Sequence, residues 1–261
     1  MKHIVFYSGG IGSWGTAKRI IEKEGKENVI LLFTDTLAED KDLYRFLEET
    51  VAEMGAEFVS IAEGRTPWEV FKDKRWLGNS RIAQCSHILK QEMSSKWIKE
   101  HFRPDECILY LGIDWTEIHR TEKPVKNWAP YKVKFPLCEP PYTTKDELLE
   151  ELKALGIEIP LLYKYGFSHN NCAGMCIKGG QGHFINLLKS FPDRFEWMEN
   201  YEKEMREYLQ KDVSILTRTK NGQKENFTLE QLRKEYEEKP DQLDLFDMGG
   251  CGCMIDDDIS T

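Results

Sequence analysis

The N-terminal part of the sequence places an apolar strand, a Ser/Gly-rich turn and a helix in direct succession. The apolar run Ile4–Tyr7 leads into the turn, and a helical pattern begins at Trp14. The turn consists of Ser8, Gly9, Gly10, Ile11, Gly12 and Ser13. Glycines let the backbone approach a ligand closely, and the unpaired N–H groups at a helix start attract anions. This order of elements predicts a phosphate-binding loop, to which the two serine hydroxyls add donors.

Apolar runs alternate with helical patterns through the first half of the chain. Five runs are predicted as strands: Ile4–Tyr7, Val29–Phe33, Phe58–Ile61, Ile108–Leu111 and Val133–Leu137. The helical patterns that separate the first four are Trp14–Glu24, Asp40–Met54 and Ser86–Phe102. Such alternation favours a mostly parallel sheet covered by helices on both faces. We therefore expect an α/β, Rossmann-like fold with a five-stranded parallel sheet and ligands at the carboxyl ends of its strands.

The character of the sequence changes after Leu137, where Glu139-Pro140-Pro141 breaks the pattern. The elements predicted beyond this break are a helix capped by Thr143 or Thr144 and stopped at Gly156, a long helix from His183 to Gln210 with a bend at Pro192, a strand at Val213–Thr219 and a helix at Thr228–Glu238. We expect a nucleotide-binding α/β domain over residues 1–140. A mainly helical, cysteine-bearing part over residues 141–261 follows, packed separately or as one unit with the first.

Composition narrows the classes of function. The formal net charge is −9 and the pI is about 5.3, which argues against broad, charge-driven binding to duplex nucleic acid. A local basic cleft for a nucleotide or one nucleic-acid loop remains compatible with that charge. The sequence has no apolar run of membrane-spanning length and shows no signal-peptide pattern, so we expect a soluble, cytoplasmic protein.

Polar side chains follow the other predicted strands. Asp35 and Thr36 end the second strand, where a carboxylate can hold Mg²⁺ or a ribose hydroxyl. Gly112 follows the fourth strand and Arg120 lies in the same loop, where its guanidinium fork matches a phosphate. Lys90 lies on the first turns of a helix and can reach a phosphate or a substrate acid. The alternatives are that Asp35 only caps its turn and that Lys90 is an exposed helix lysine.

Two close pairs of cysteines indicate a metal or redox site. Cys172 and Cys176, and then Cys251 and Cys253, have glycine neighbours that permit the sharp turns around an ion or cluster. Four thiolates suit Zn²⁺ or an iron–sulfur cluster of the 4Fe–4S type. Iron–sulfur adenylyl-sulfate reductases hold a cluster with a Cys-Cys pair and a later cysteine pair. Resemblance to them implies one alternative, in which Cys85 joins Cys172 and Cys176 around a cluster with an open iron site. In another, Cys251 and Cys253 form a mobile redox or sulfur-carrying pair. His169 and His183 are candidate substitute ligands.

The motifs occur in a recognisable order. The loop Ser8–Ser13 matches the pattern SGGxxS, and Lys90 follows Cys85-Ser86 at a characteristic spacing. Three further stretches precede the cysteines: Tyr142-Thr143-Thr144-Lys145-Asp146, Gly156-Ile157-Glu158-Ile159-Pro160-Leu161-Leu162-Tyr163 and Gly166-Phe167. Over roughly residues 4–180 this series resembles the phosphoadenosine phosphosulfate (PAPS) reductase-like family of the PP-loop ATP pyrophosphatase superfamily.

The resemblance implies an adenine-nucleotide fold of the HUP type. It implies that Ser8, Gly9, Gly10, Gly12 and Ser13 bind nucleotide together with Asp35, Thr36 and Gly112, and that Lys90, Arg120 and Asp35 take part in catalysis. The sequence departs from the family at two places. Gly12 stands where many PP-loops have aspartate, and a Gly-Cys-Gly-Cys segment replaces the reductase tail Glu-Cys-Gly-Leu-His. A thioredoxin-linked PAPS reductase is therefore not the leading reading.

The leading expectation is an ATP pyrophosphatase-type enzyme. ATP with Mg²⁺ would bind the loop, a substrate oxygen would be adenylated with loss of pyrophosphate, and sulfur would then be transferred to a nucleotide or nucleic acid. A sulfur donor or a partner protein is compatible with this reading. One rival is a reductase of a sulfonucleotide, which needs a thiol donor and no ATP. The other is a non-catalytic nucleotide-binding partner, which would bind ATP without releasing pyrophosphate.

Overall fold

The computed structural model describes residues 1–79, 83–238, 243, 245 and 247–249. The strands are β1 (Lys2–Phe6), β2 (Val29–Asp35), β3 (Glu57–Ala62), β4 (Cys107–Tyr110), β5 (Lys132–Lys134), β6 (Leu216–Lys220) and β7 (Gln223–Phe227). The α-helices are α1 (Ile11–Glu24), α2 (Lys41–Met54), α3 (Pro67–Asp73), α4 (Met93–His101), α5 (Glu122–Asn127), α6 (Lys145–Ala154), α7 (Leu161–Lys164), α8 (Gln181–Ser190), α9 (Pro192–Leu209) and α10 (Leu229–Glu238).

A five-stranded sheet in the order β3-β2-β1-β4-β5 forms the centre of the protein, and every pairing in it is parallel. The inner strands β1, β2 and β4 are almost wholly buried, as their continuous apolar sequences predict. β6 and β7 form a separate antiparallel hairpin. The predicted α/β fold with a parallel five-stranded sheet is therefore confirmed.

Helices cover both faces of the sheet. On one face the fully buried Trp14 of α1 and Phe46 of α2 pack with Val5 and Leu31 of the inner strands. On the other face Ile98 of α4 packs with the opposite side chains of the same strands. Side chains alternate along a strand, so each strand contributes to both cores.

Several boundaries differ from the sequence predictions. The fifth strand ends at Lys134, and the predicted continuation to Leu137 is a 3₁₀ turn at Pro136–Cys138, since proline cannot donate to a strand ladder. The predicted helix Ser86–Phe102 begins with a π-helical stretch, Ser86–Glu92. The long helix predicted from His183 is two helices, interrupted at Phe191, whose backbone is not helical. The helix α3 was not predicted.

A further apolar core lies mainly in the C-terminal half, where α8, α9, the hairpin and α10 form it, and Phe71 and Leu77 of the first half pack into it. Buried Glu202 of α9 ties this region together, because its two carboxylate oxygens accept the N–H groups of Ile215 and Leu229, each at 2.7 Å. Burial raises the pKa of Glu202 to about 7. The Glu202 carboxylate thus fixes both ends of the hairpin to α9.

The helix α6 packs on the N-terminal half although it follows residue 140. A Cβ on Gly15 of α1 would lie 2.8 Å from Leu148 of α6, so the missing side chain lets the two helices meet closely. The helices α1 and α6 therefore pack against each other across the predicted domain boundary at residue 140. None of the described helices is both long and apolar enough to cross a membrane.

Candidate functional site

The main cleft lies where the strand order reverses. The chain builds β1, β2 and β3 in one direction and then places β4 on the other side of β1. The loops after β1 and β4 therefore meet at the carboxyl end of the sheet, where open α/β sheets bind ligands. Ser8, Gly10, Gly12 and Ser13 line this cleft together with Gly112.

Two glycines allow the loops after β1 and β4 to touch. A Cβ on Gly112 would lie 2.7 Å from both the carbonyl carbon of Gly12 and the backbone nitrogen of Ser13. A Cβ on Gly12 would lie 2.8 Å from the carbonyl oxygen of Gly112. Any larger residue would separate the two backbones, so this pair sets the width of the cleft floor. Gly9 has a positive φ of 74°, which a glycine adopts without strain.

Hydroxyl groups surround the start of α1. Ser13 is buried and donates to the carbonyl of Gly10 at 2.8 Å, while the hydroxyl of Ser8 lies 3.4 Å from that of Ser13. The hydroxyl of Tyr163 accepts the backbone N–H of Ile11 at 3.1 Å. The helix start thus presents hydroxyl and amide groups toward the cleft, which suits an anion.

Both cationic side chains predicted for the site, Lys90 and Arg120, line the cleft. Lys90 is buried, with 5% of its surface exposed, and lies in the π-helical stretch before α4. Arg120 lies in the loop after β4 and forms an ion pair with Glu117 three residues earlier. Both side chains line the cleft with Ser8 and Ser13. The predicted exposed-lysine alternative for Lys90 is wrong.

Two further residues line the cleft that the sequence did not predict as nucleotide contacts. Buried Asn170 donates to the carbonyl of Gly9 at 3.0 Å, while its Oδ1 has no partner among the described residues. His169 beside it has a pKa lowered to about 4, chiefly by burial and further by Lys145 and Arg120. A buried acceptor without a partner in a polar cleft indicates a ligand with a donor or a cation. His169 lines this cleft and not the cysteine cavity described below.

Asp35 and Thr36 lie beside the cleft and do not line it in this structure. The carboxylate of Asp35 accepts the backbone N–H of Leu37 at 2.8 Å and the hydroxyl of Tyr44 at 2.9 Å. Its observed contacts match the turn-capping alternative. The hydroxyl of Thr36 donates to Glu39 at 3.0 Å, and Thr36 lines a second cavity.

Glu39, which the sequence did not single out, connects several functional elements. Its side chain is 1% exposed and accepts from Lys90 at 3.5 Å. Its other carboxylate oxygen accepts the backbone N–H of Cys172. A buried carboxylate with a buried lysine as partner is costly to unpair, so the pair fixes Lys90 beside the cysteine segment. In the sequence Glu39 resembles any acidic residue before a helix, and its partners are far away along the chain.

The second cavity contains the cysteines. Cys85, Cys172 and Cys176 all line it, and Lys90 lines both this cysteine cavity and the cleft. Cys172 and Cys176 are buried and Cys85 is half-buried. The predicted ligands Cys251 and Cys253 lie outside the described residues. The structure thus brings together the three thiols of one sequence alternative, while the four-cysteine site stays a prediction.

The backbone around Cys172 is strained and firmly held. Cys172, Ala173 and Gly174 have consecutive positive φ values of 48°, 51° and 79°, a conformation that costs energy for the first two. Arg194 donates to the carbonyl of Ala173 at 2.8 Å, and the Nε2 of His183 bonds to the carbonyl of Gly174 at 2.7 Å. These contacts commit one ring nitrogen of His183 to the backbone. Such strain, held in place by hydrogen bonds, is typical of functional segments.

The donor set of the cysteine cavity fits a metal cluster only in part. Within residues 1–79 and 83–238, and the few described beyond them, no group of three His, Cys, Asp or Glu side chains is arranged to hold a metal ion. Three cysteines nevertheless line one small, mainly apolar cavity, and thiolates are the ligands that iron–sulfur clusters and zinc prefer. The cavity therefore suits thiolate chemistry.

Comparisons with known proteins find similarity of structure alone. No protein-family model matches the chain, and no curated protein matches it. One similar structure is the phosphoadenylyl-sulfate (PAPS) reductase of Candida auris in a phosphate complex, with 14% identity, 66% of this chain and 82% of that chain covered, and a TM-score of 0.45.

Two further similar structures are enzymes with other activities. The match to the NH3-dependent NAD synthetase of Campylobacter jejuni has 13% sequence identity and a TM-score of 0.40. It covers 80% of this chain and 83% of the synthetase chain. A tRNA thiolase of Methanococcus maripaludis, described with its 4Fe–4S cluster, has 17% identity, 79% and 73% coverage and a TM-score of 0.44. This chain is similar to each of them in fold.

Proposed function

We propose that this protein is an ATP pyrophosphatase-type enzyme of the PP-loop superfamily that adenylates a nucleotide or nucleic acid for sulfur transfer. The observation that carries the proposal is that Lys90 lines both a phosphate-type cleft and a cavity with three cysteines. One cationic side chain therefore borders both the cleft, where the phosphates would bind, and the cysteine cavity, where sulfur would be held. The sequence motifs and the contacts of the loop support the same reading.

The cleft supplies electrostatic stabilisation for the first step. In that step a substrate oxygen attacks the α-phosphorus of ATP, the bond from the α-phosphorus to the bridging oxygen breaks, and pyrophosphate leaves with the electron pair. Charge develops on the phosphate oxygens, where the amides of the loop, Ser8 and Ser13 act as donors. Lys90 and Arg120 add positive charge at the same place. Removing one such donor typically lowers a rate by about 100-fold or more.

The second step transfers sulfur without a change of oxidation state. Hydrosulfide attacks the carbon that carries the adenylated oxygen, the carbon–oxygen bond breaks, and AMP leaves with the electron pair. The product is a thiolated base, which keeps the proton of hydrosulfide in place of the ring proton that the base lost when its oxygen was adenylated. The cysteine cavity beside Lys90 is the place from which sulfur would arrive. Cys172 and Cys176 would hold an iron–sulfur cluster with Cys85 or with Cys251 and Cys253, and a bound cluster would supply an iron that carries sulfide.

A direct experiment follows the two products of the proposed steps. Protein purified without oxygen is incubated with ATP, Mg²⁺, sulfide and a pool of small cellular RNAs and nucleosides, and pyrophosphate and thiolated nucleosides are measured. The proposal predicts equal amounts of pyrophosphate and thiolated product. ATP binding without pyrophosphate in the presence of every acceptor would contradict it and favour a nucleotide-binding partner protein.

The sulfonucleotide reductase is the second candidate, and the cysteine cavity beside the cleft favours it as well. In that reaction a cysteine thiolate attacks the sulfur of the sulfonucleotide, the sulfur–oxygen bond breaks, and the nucleotide leaves. An external thiol, which is oxidised to a disulfide, then releases sulfite. A parallel incubation with PAPS, adenylyl sulfate and a dithiol measures sulfite. Sulfite release without ATP would replace the first proposal by this one.

A further inference from the structure

Beside the cleft lies an exposed aromatic pair. The rings of Trp115 and Tyr142 lie 6.0 Å apart, and these residues are 40% and 59% exposed. Trp115 belongs to the same turn as Ile113 and Glu117, which line the cleft. Large aromatic side chains usually bury their rings, so two adjacent exposed rings at the mouth of a cleft need an explanation.

Both rings are held by hydrogen-bonded turns. Asp114 caps the turn of Trp115, since its carboxylate accepts the backbone N–H of Thr116 at 2.8 Å. Arg19 holds the loop of Tyr142 through the carbonyls of Pro136 and Pro141 and the hydroxyl of Thr143, at 2.6, 2.8 and 2.9 Å.

One further contact joins the two turns. The thiol of Cys138 donates to the carbonyl of Ile113 at 3.3 Å. The backbone that carries each ring is thus fixed, and aromatic side chains on a fixed backbone lose little conformational entropy when a ligand stacks on them.

Positive charge extends outward from the cleft next to these rings. Arg120 lines the cleft, and Lys123 and Lys126 follow at a spacing of three residues through the next helical turns. Lys123 and Lys126, three residues apart in α5, are neighbours on the exposed surface of this helix. Residues 118–134 contain five Lys or Arg and one Glu, in a chain whose formal net charge is −9. The positive stripe is therefore a local feature of an acidic protein.

We infer that the aromatic pair Trp115–Tyr142 and the stripe Arg120–Lys123–Lys126 form a docking surface for single-stranded nucleic acid. The inference rests on the proposed function and names its acceptor class. Bases stack on exposed rings regardless of sequence, and lysines contact the phosphates between them. Because the stripe starts at the cleft, a strand bound there would deliver one base to the adenylation site. A duplex would not expose base faces to the rings.

The test is direct binding of fluorescently labelled single-stranded RNA and DNA of about twelve nucleotides, measured by anisotropy over a series of salt concentrations. Wild-type protein is expected to bind single strands more tightly than duplex of the same sequence. Binding is expected to weaken with salt, with a logarithmic slope of roughly −2 for three phosphate contacts. A clear preference for RNA or for DNA would identify which strand is the acceptor.

Two variants separate stacking from charge. Trp115→Ala with Tyr142→Ala is expected to weaken strand binding about tenfold or more with an unchanged salt slope. Lys123→Glu with Lys126→Glu is expected to weaken binding and to reduce the slope by roughly 1. The control Lys211→Glu with Lys220→Glu makes the same charge change at exposed positions on the C-terminal half and should bind like wild type.

The same titrations with ATP distinguish the two proposals. Strand binding without ATP binding would overturn the proposed function and leave the docking surface standing. ATP binding with no preference for single strands, or equal loss of strand binding in the control variant, would overturn the docking surface alone. Retained ATP binding in both surface variants, with lost strand binding, is the result that supports the inference.

Discussion

The cleft and the cysteine cavity adjoin each other, but the first is formed mainly by backbone and the second mainly by side chains. The cleft is made by the backbone of two loops, with Gly12 and Gly112 in close contact and hydroxyls and cations around them. The cysteine cavity is made by side chains from the first half of the chain and from the strained segment at Cys172. Backbone amides suit phosphate, whereas thiols suit sulfur or metal. The proposed function divides one reaction between these two adjoining sites.

A buried ion pair joins the two sites. Lys90 lines both, and Glu39 contacts both Lys90 and the backbone of Cys172. Both side chains are nearly fully buried, so water cannot take the place of either partner when the other is removed. The following changes test whether the two sites are separable, and they run from the largest expected effect to the smallest.

Lys90→Met should affect both sites. It removes positive charge from the cleft and leaves the buried carboxylate of Glu39 without its lysine partner. We expect pyrophosphate release to fall by about 100-fold and the free energy of unfolding, measured by urea denaturation, to fall by about 3 kcal/mol. Adding Glu39→Gln to Lys90→Met should restore most of the stability and none of the activity. Recovery of activity in the double variant would show that Lys90 only balances a buried charge.

Cys172→Ser with Cys176→Ser should affect one site. Serine lacks the thiolate that metal and sulfur chemistry need, so formation of thiolated product should fall to background while pyrophosphate release persists. The matched control is Cys107→Ser, at a buried strand thiol whose pKa is raised to about 11 by burial. That control should lose some stability and keep sulfur transfer. Equal loss of transfer in both proteins would contradict the division between the sites.

Gly112→Ala should alter the cleft alone. The added Cβ would lie 2.7 Å from backbone atoms of the opposite loop, so the loops must separate. We expect ATP affinity, measured by calorimetry, to fall about tenfold, and the free energy of unfolding to fall by about 1–3 kcal/mol. Gly64→Ala is the control, because its Cβ meets nothing within 4 Å, although its positive φ of 107° costs some stability. Unchanged ATP affinity in Gly112→Ala would show that this part of the cleft does not bind ATP.

His169 should make the free energy of unfolding depend on pH. Its pKa in the folded protein is about 4, below its ordinary value of 6.5, so the unfolded chain binds more protons between these values. This contribution is fully present above pH 6.5 and is lost as the pH falls toward 4. In His169→Gln the loss of stability between pH 7.5 and pH 5 should be smaller by roughly 2 kcal/mol, as urea denaturation measures. The exposed His101→Gln should leave that difference unchanged.

The elements that depend on local pattern could be predicted from the sequence. The parallel sheet follows from apolar runs alternating with helices, and the sequence motifs predict the loop Ser8–Ser13 and Lys90 as site residues. Glu39 and Asn170 could not be found this way, because their partners lie 133 and 161 residues away along the chain. The shortened β5 shows the same limit, since an apolar run indicates burial and does not distinguish a strand from a buried turn.

The central claim is that the loop after β1 binds the phosphates of ATP. Calorimetric titration of ATP with Mg²⁺ into wild-type protein and into Ser8→Ala with Ser13→Ala tests it most directly. The account predicts that the wild type binds ATP and that the double variant binds at least about tenfold more weakly, because two donors at the helix start are lost. Equal ATP affinity of the two proteins, or no ATP binding by the wild type, would contradict the account.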